Sequence, residues 1–186
     1  QPFFLHLCYD DPHPPYFAPW PYDTMFDPDS LTLPEIGNLS DLPDWHHQAR
    51  LDVGTQLASE QDFRNVLAVY YGMIRYIDDE MARIYAALEA KGLLENTWII
   101  LGSDHGDYTG EKGLFNKSES LYKCLLHVPL VIVAPKESGE IEPHRNSSLV
   151  SSVDLFPTIL GIAGLIAPTN QGKNIVSWVR SGSEQP

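Results

Sequence analysis

The sequence has few cysteines, few basic residues and no long apolar run. Cys8 and Cys124 are too few for a disulfide scaffold, so we expect both to be buried free thiols in an ordinary hydrophobic core. The 12 lysines and arginines face 25 acidic residues, and the net charge of −13 argues against a nucleic-acid partner, which requires a basic patch. No run approaches the roughly 20 apolar residues that span a bilayer, so no membrane segment is expected.

What the chain does contain is enough apolar sequence for a folded domain, since 43% of its 186 residues are hydrophobic. It starts with Gln1 rather than Met, and an apolar run begins at Phe3, which predicts that the chain is part of a longer protein. We assign residues 1–180 to one partial α/β domain, in which 16–62 form a long loop region on the substrate side, and 181–186 to a polar tail. The composition does not assign a cellular compartment.

Hydrophobic periodicity predicts the elements of this domain. Apolar residues mostly three and four positions apart from Val66 to Leu88 predict a long helix, which Gly92 ends. Short apolar runs predict strands that are covered on both faces, and their alternation with helices predicts an α/β fold with a mostly parallel central sheet flanked by helices. The predicted strands are 2–7, 97–101 and 129–133, and the shorter predicted helices are 118–126 and 153–164.

Polar residues follow two of the predicted strands at the point where each ends. Asp10, Asp11 and His13 follow the first strand, and Asp104 and His105 follow the second. In open parallel sheets, ligands bind beyond the carboxyl ends of the strands. If these strands are parallel neighbours, both groups of residues face one crevice.

The tripeptide Asp104-His105-Gly106 is a candidate metal site. Asp supplies a hard oxygen and His a nitrogen donor, and Gly106 permits the tight turn that would bring both to one cation. The alternative is an Asp that caps a turn beside an exposed His. The sequence leaves these two interpretations about even.

Two lysines and a histidine are candidates for binding and cleaving an ester anion. Lys112 and Lys117 lie in the glycine-containing loop that follows, and an ammonium group suits a tetrahedral oxyanion. His13 lies among prolines that stiffen its backbone, and a histidine near a scissile bond can protonate a leaving oxygen. The alternatives are two solvated lysines and a turn histidine packed on a proline.

The long loop region carries aromatic and histidine side chains. Trp20, Tyr22 and Trp45 could stack on a sugar ring, although packing of the loop itself is the favoured interpretation. His46 and His47 are expected to be exposed.

Several motifs occur in a fixed order along nearly the whole chain. They are Phe3-Phe4-Leu5, Asp11-Pro12-His13-Pro14-Pro15, the helix segment 71–78, Ser103-Asp104-His105-Gly106, the loop 110–117, Val128-Pro129-Leu130 and the segment 153–165. In this order they resemble the sulfatase family of the alkaline phosphatase superfamily. The resemblance implies an alkaline-phosphatase-like α/β fold that is incomplete in this chain.

The resemblance also implies roles for individual residues. Asp104 and His105 fall on metal-ligand positions for a divalent cation, calcium in the first place and manganese as an alternative. Lys117 matches the lysine that binds the sulfate group, and His13 matches the histidine near the leaving-group oxygen. Lys112 is a further substrate-binding candidate, although it stands where many members carry His.

One half of the family's site is missing from the chain. The family's nucleophile is a formylglycine made from Cys or Ser in a Cys/Ser-x-Pro-x-Arg run, and neither Cys8 nor Cys124 lies in that context. The resemblance therefore implies a part of a sulfuric ester hydrolase that acts on a sulfate-ester small molecule or a sulfated sugar. We expect this part to be inactive alone and to need an N-terminal segment or a homo-oligomer partner. Alternatives are a phosphodiester or phosphonate monoester hydrolase of the same superfamily and a non-catalytic binding module.

Overall fold

The computed structural model describes residues 2–139 and 141–182, which form two compact units. The first unit comprises the described residues up to Ala86 together with His105–Val128. The second unit comprises Ala87–Asp104 and the described residues from Pro129 onward.

The regular elements are five α-helices and four short strands within the described residues, joined by loops and 3-10 turns. The helices are α1 (Asp44–Asp52), α2 (Glu60–Ala90), α3 (Lys123–Leu126), α4 (Leu155–Ile162) and α5 (Val176–Ser181). The strands are β1 (Ile99–Gly102), β2 (Tyr108–Thr109), β3 (Phe115–Asn116) and β4 (Leu130–Val133). None of the helices in the described part of the chain combines the length and the apolar character that crossing a membrane requires.

Helix α2 confirms the long helix predicted from periodicity, and it begins earlier than the apolar stripe. Ser59 and Asp62 cap it reciprocally, because the Asp62 carboxylate accepts from the Ser59 backbone N–H at 2.8 Å and the Asp62 N–H donates to the Ser59 hydroxyl at 3.2 Å. At Gly72 the helix meets the preceding loop so closely that a Cβ would lie 2.1 Å from the Tyr22 carbonyl oxygen. A glycine is therefore required there for the loop to pack on the helix.

The first unit is built around a small antiparallel hairpin. Strand β2 pairs with β3, and Tyr108 lies opposite Asn116. Tyr108, Leu114 and Leu125 form a fully buried cluster in which the hairpin packs on α3. This arrangement fixes the backbone on both sides of the turn that carries Lys112, and Lys117 directly follows β3.

The second unit contains the other sheet, in which β1 pairs antiparallel with β4. Helix α4 follows a capped turn: the Asp154 carboxylate accepts from the Ser151 N–H at 2.8 Å and from the Lys173 N–H at 2.6 Å. The buried Thr158 hydroxyl accepts from the Ile175 N–H at 3.1 Å. These bonds hold the C-terminal segment against α4.

Several sequence predictions of secondary structure are wrong or unconfirmed. The predicted strand 2–7 is absent, and its side chains are exposed, because no strand of the described residues pairs with it. Both described sheets are antiparallel, so the mostly parallel central sheet is not confirmed. The strands predicted at 97–101 and 129–133 are confirmed as β1 and β4, but they are not covered on both faces, since Leu101 and Val131 are exposed.

Other differences concern helix lengths and burial. The helix predicted at 118–126 shrinks to α3, whereas the helix predicted at 153–164 is confirmed as α4. Cys8 is exposed rather than buried. The loop region 16–62 contains helix α1. This helix was not predicted, because the segment has no long apolar periodicity. Most of the predicted polar tail lies outside the described residues, and Ser181 is the last residue of α5.

Candidate active site

The structure brings His13 and Lys117 together in the first unit, although they are 104 residues apart in sequence. The Nδ1 atom of His13 lies 2.6 Å from the Pro14 carbonyl oxygen, which can only accept, so Nδ1 carries the hydrogen. The Nε2 atom is then the lone-pair nitrogen of the neutral ring, and the Lys117 ammonium donates to it. Both side chains are exposed, so a ligand in solution can reach them.

This pair has the chemistry of an oxyanion site. A protonated His13 and a protonated Lys117 cannot donate to each other, and their like charges repel. A tetrahedral oxyanion bound between them would accept from both groups and neutralise this repulsion. The pair is therefore suited to bind an anion.

Tyr16 connects the loop of His13 to the loop of Lys117. Its hydroxyl accepts from the backbone N–H of Asn116 at 2.7 Å and donates toward the Asp107 carboxylate at 3.1 Å and the Tyr108 carbonyl at 3.3 Å. Burial, followed by the charge of Asp107, raises the pKa of Tyr16 above its ordinary value. Sequence reasoning missed Tyr16, because the residue stands in a proline-rich loop with no periodicity that would place its ring.

Asp107 lies beside the same groups and was also missed from the sequence. Burial raises the pKa of its carboxyl group, while the Tyr16 hydroxyl, the Tyr108 N–H and the charges of Lys117 and His105 oppose that rise. Its Oδ1 atom and the Oδ1 atom of Asn116 are buried and find no hydrogen-bond partner among the described protein groups. Its position directly after the Asp-His-Gly tripeptide was the only signal in the sequence.

Lys112 occupies a different position from Lys117. It adopts a left-handed conformation with φ 56°, and its Nζ atom lies beside Gly37 of the long loop region rather than in the His13–Lys117 pair. The backbone carbonyl of Lys112 accepts from His46 Nε2 at 2.9 Å. His46 is fully buried, so the prediction that it is exposed is wrong. Helix α1 thus holds the turn of Lys112 through a buried imidazole.

The candidate metal ligands are consecutive in sequence but fall in different units. His105 belongs to the first unit, and Asp104 follows β1 in the second. The His105 Nδ1 atom lies 2.8 Å from the Gly106 carbonyl oxygen and must donate to it, so Nε2 carries the lone pair of the neutral ring. Metal-binding histidines commonly donate their other N–H to a backbone carbonyl in this way.

Asp104 and His105 supply types of donor atom that divalent cations bind, but the two residues alone do not make up a metal site. One carboxylate and one correctly tautomerised imidazole are a suitable pair of ligands. Within residues 2–139 and 141–182, no group of three or more His, Cys, Asp or Glu side chains is arranged to hold a metal ion. A full coordination shell requires further ligands.

The three candidate stacking residues, Trp20, Tyr22 and Trp45, have different environments. Trp20 is largely exposed, and Trp45 packs on His46 and Tyr122. Tyr22 packs on α2, where its hydroxyl donates to the Asp79 carboxylate at 2.8 Å. Packing of the loop accounts for Tyr22 and Trp45.

Comparison with known proteins shows the family to which the chain belongs. The sequence model named Sulfatase matches residues 1–165. Arylsulfatase K from Xenopus laevis is 34% identical over 91% of this chain and 34% of that protein, and choline-sulfatase from Rhizobium meliloti is 28% identical over 96% of this chain and 36% of that protein. A phosphonate monoester hydrolase from Silicibacter pomeroyi has a structure similar to this one, with a TM-score of 0.76 and 29% identity over 94% of this chain and 36% of that chain.

The chain spans about a third of the length of these relatives. Its structural neighbours have the alkaline-phosphatase-like fold, so the described units are part of that fold. The family match covers the segment that contains His13, Asp104, His105 and Lys117. This chain belongs to the sulfatase family.

Proposed function

We propose that this chain supplies the oxyanion-binding groups and part of the metal site of a sulfate-ester hydrolase. The observation that carries the proposal is the contact between the His13 imidazole and the Lys117 ammonium. It joins two residues that a family of ester hydrolases would need at one anion. The substrate would be a sulfate-ester small molecule or a sulfated sugar, and the formylglycine nucleophile would come from another part of the whole protein.

Lys117 would bind the sulfate group, and His13 would protonate the leaving oxygen. The ammonium group of Lys117 is a compact cation that offers hydrogen bonds to the equatorial oxygens of the ester as negative charge builds on them. Since the Pro14 carbonyl holds His13 Nδ1, Nε2 is the nitrogen that takes up and releases a proton. A bound anion would offset the repulsion between the two cations.

Asp104 and His105 would hold a divalent cation, calcium in the first place. When bound, such a cation polarises the ester and neutralises charge on the transferring group. The Gly106 carbonyl would keep the His105 ring in the tautomer that binds a metal through Nε2. Gly106 itself is held by its N–H, which donates to the Leu125 carbonyl at 2.8 Å.

Hydrolysis of a phosphonate monoester is the second candidate function. The nitrogen donor of His105 favours manganese or zinc over calcium, because calcium prefers oxygen ligands. The similarity to the phosphonate monoester hydrolase from Silicibacter pomeroyi supports the same alternative. Both functions would use His13 and Lys117 in the same way.

Kinetics of the whole protein on paired substrates would test both proposals. We expect hydrolysis of 4-nitrophenyl sulfate to exceed that of 4-nitrophenyl phenylphosphonate, and the reverse ranking would favour the second function. His13→Ala and Lys117→Ala should each lower kcat/KM by about a hundredfold or more. The exposed His144→Ala and Lys136→Ala, both in the second unit, are matched controls that should leave the rate within about twofold.

Two outcomes would contradict the proposal. A whole protein that binds aryl sulfates but hydrolyses neither substrate, with calcium or with manganese, would be a non-catalytic binding module. Full activity in Lys117→Ala would show that the contact between His13 and Lys117 is not needed for hydrolysis, which contradicts the proposal. Chelation should abolish the activity, and restoration by calcium rather than manganese would identify the cation.

A further inference from the structure

We infer that Tyr16 is a positioning residue whose hydroxyl sets the His13 imidazole against the Lys117 ammonium. The inference rests on the proposed function, because positioning matters only if His13 delivers a proton to a leaving group. It concerns a residue that touches neither the ester nor a metal in that scheme. Its effect would pass entirely through His13 and Lys117.

The hydroxyl of Tyr16 is bonded on the Lys117 side by a backbone group. The N–H of Asn116, the residue before Lys117, donates to the Tyr16 oxygen at 2.7 Å. This bond occupies a lone pair of the oxygen, and the Tyr16 hydrogen is donated toward two acceptors. They are the Asp107 Oδ2 atom at 3.1 Å and the Tyr108 carbonyl at 3.3 Å. One phenol oxygen thus connects both strands of the hairpin.

On the His13 side, the connection is short and stiff. Only Pro14 and Pro15 separate Tyr16 from His13, and the pyrrolidine rings fix φ at both positions. The N–H of His13 donates to the Asp10 carbonyl at 2.8 Å, which closes the turn before the prolines. Few free backbone torsions therefore separate the two residues, which couples the position of Tyr16 to that of His13.

The ring of Tyr16 has its own packing, which separates the role of the ring from that of the hydroxyl. It makes edge contacts with Phe115 and Tyr70, with ring centroids 6.3 Å and 6.2 Å away. Phenylalanine would keep these contacts and lose only the hydroxyl. Tyr16→Phe therefore removes the hydrogen bonds of the hydroxyl to the hairpin and to Asp107 without opening a cavity.

Tyr22→Phe is a matched control in the same loop region. The Tyr22 hydroxyl also donates to an aspartate, Asp79 on α2, at 2.8 Å. Its ring is likewise packed on an aromatic neighbour, Tyr76. The two variants remove the same kind of bond, but only Tyr16 is bonded next to Lys117.

Leaving-group dependence would distinguish positioning from a general loss of structure. A general acid matters more for a poor leaving group such as phenol than for a good one such as 4-nitrophenol. In the whole protein, Tyr16→Phe should lower kcat/KM about tenfold on the phenyl ester and about twofold on the 4-nitrophenyl ester. A smaller fraction of folded protein would lower kcat/KM on both esters by the same factor. Any effect of Tyr22→Phe should be of this kind.

Equal factors on both esters, or no loss at all, would overturn the inference. A Tyr16→Phe protein that fails to fold would also overturn it, because the hydroxyl would then serve folding rather than positioning. The ring-nitrogen chemical shifts of His13 in ¹⁵N-labelled whole protein supply a second measurement that needs no activity. They should move in Tyr16→Phe and stay in place in Tyr22→Phe.

The two measurements also separate this inference from the proposed function. If the unmodified protein hydrolysed no ester, the proposed function would fail, and the His13 shifts alone would decide whether Tyr16 places the ring. If the protein were active and Tyr16→Phe matched Tyr22→Phe in both rates and shifts, only the positioning role would fail.

Discussion

Replacing Gly106 by alanine should destabilise the first unit more than any other single methyl group added near the candidate site. A Cβ at this position would lie 1.9 Å from the Cys124 carbonyl oxygen, 3.0 Å from its carbonyl carbon and 3.3 Å from the Leu125 Cα. All three are backbone atoms, which cannot rotate away as a side-chain tip would. The backbone of α3 must therefore move by more than about 1 Å to restore ordinary van der Waals contact.

Two contributions determine how much Gly106→Ala should lower the free energy of unfolding. Overpacking costs about 1–3 kcal/mol, and the displacement lengthens the 2.8 Å bond from the Gly106 N–H to the Leu125 carbonyl, which contributes about 1 kcal/mol. We expect Gly106→Ala to lower the free energy of unfolding by about 2–4 kcal/mol. Urea denaturation of the whole protein, followed by fluorescence, would measure it.

Gly102→Ala is the matched control for this prediction. The nearest atoms to a Cβ at Gly102 are 3.7 Å away, an ordinary contact distance, so we expect a change within about 0.5 kcal/mol. Equal urea midpoints for the two variants would refute the steric argument. A large loss in both would show that the chain from the end of β1 to β2 tolerates no methyl group for another reason.

Three further outcomes are expected. Thr158→Val should cost about 1–3 kcal/mol in denaturant unfolding, because the buried Ile175 N–H loses its acceptor, and an unchanged midpoint would contradict this role. Burial raises the pKa of Asp107, so the folded protein binds the proton more tightly than the unfolded chain, and this group's contribution to stability should fall as pH rises from about 3.8 through the raised value. In Asp107→Asn that part of the pH dependence should vanish, and a wild-type pH profile in the variant would contradict it. The 186-residue chain alone should hydrolyse no aryl sulfate, and turnover by that purified chain would show that its own side chains include a nucleophile.

The sequence predicted best where a local pattern determines the structure. Helix α2 was found because its apolar residues recur along a single face, and α4 because the apolar segment 153–164 carries Pro157 at a position that suits the first turn of a helix. Strand 2–7 was not found in the structure, because an apolar run shows only that a segment prefers burial. Pairing also requires a neighbouring strand, and the described residues supply none.

In the candidate site, too, residues in local motifs were predicted, and residues that act through distant contacts were not. His13 and Lys117 were named from motifs, and the structure brings them into contact, whereas the assigned roles of Asp104, His105 and Lys112 stay predictions. The groups that hold the site were not predicted. Tyr16 and His46 act through bonds to backbone groups far away in sequence, and no spacing rule signals such bonds.

The long separation between His13 and Lys117 has a consequence for folding. Closing a loop of this length costs about 4 kcal/mol of chain entropy before the contact returns any free energy. The pair should therefore form only after α2 and the hairpin have already shortened the path between them. A signal from the His13 ring would then appear among the last events of refolding, and it would report a fully assembled first unit rather than a collapsed chain.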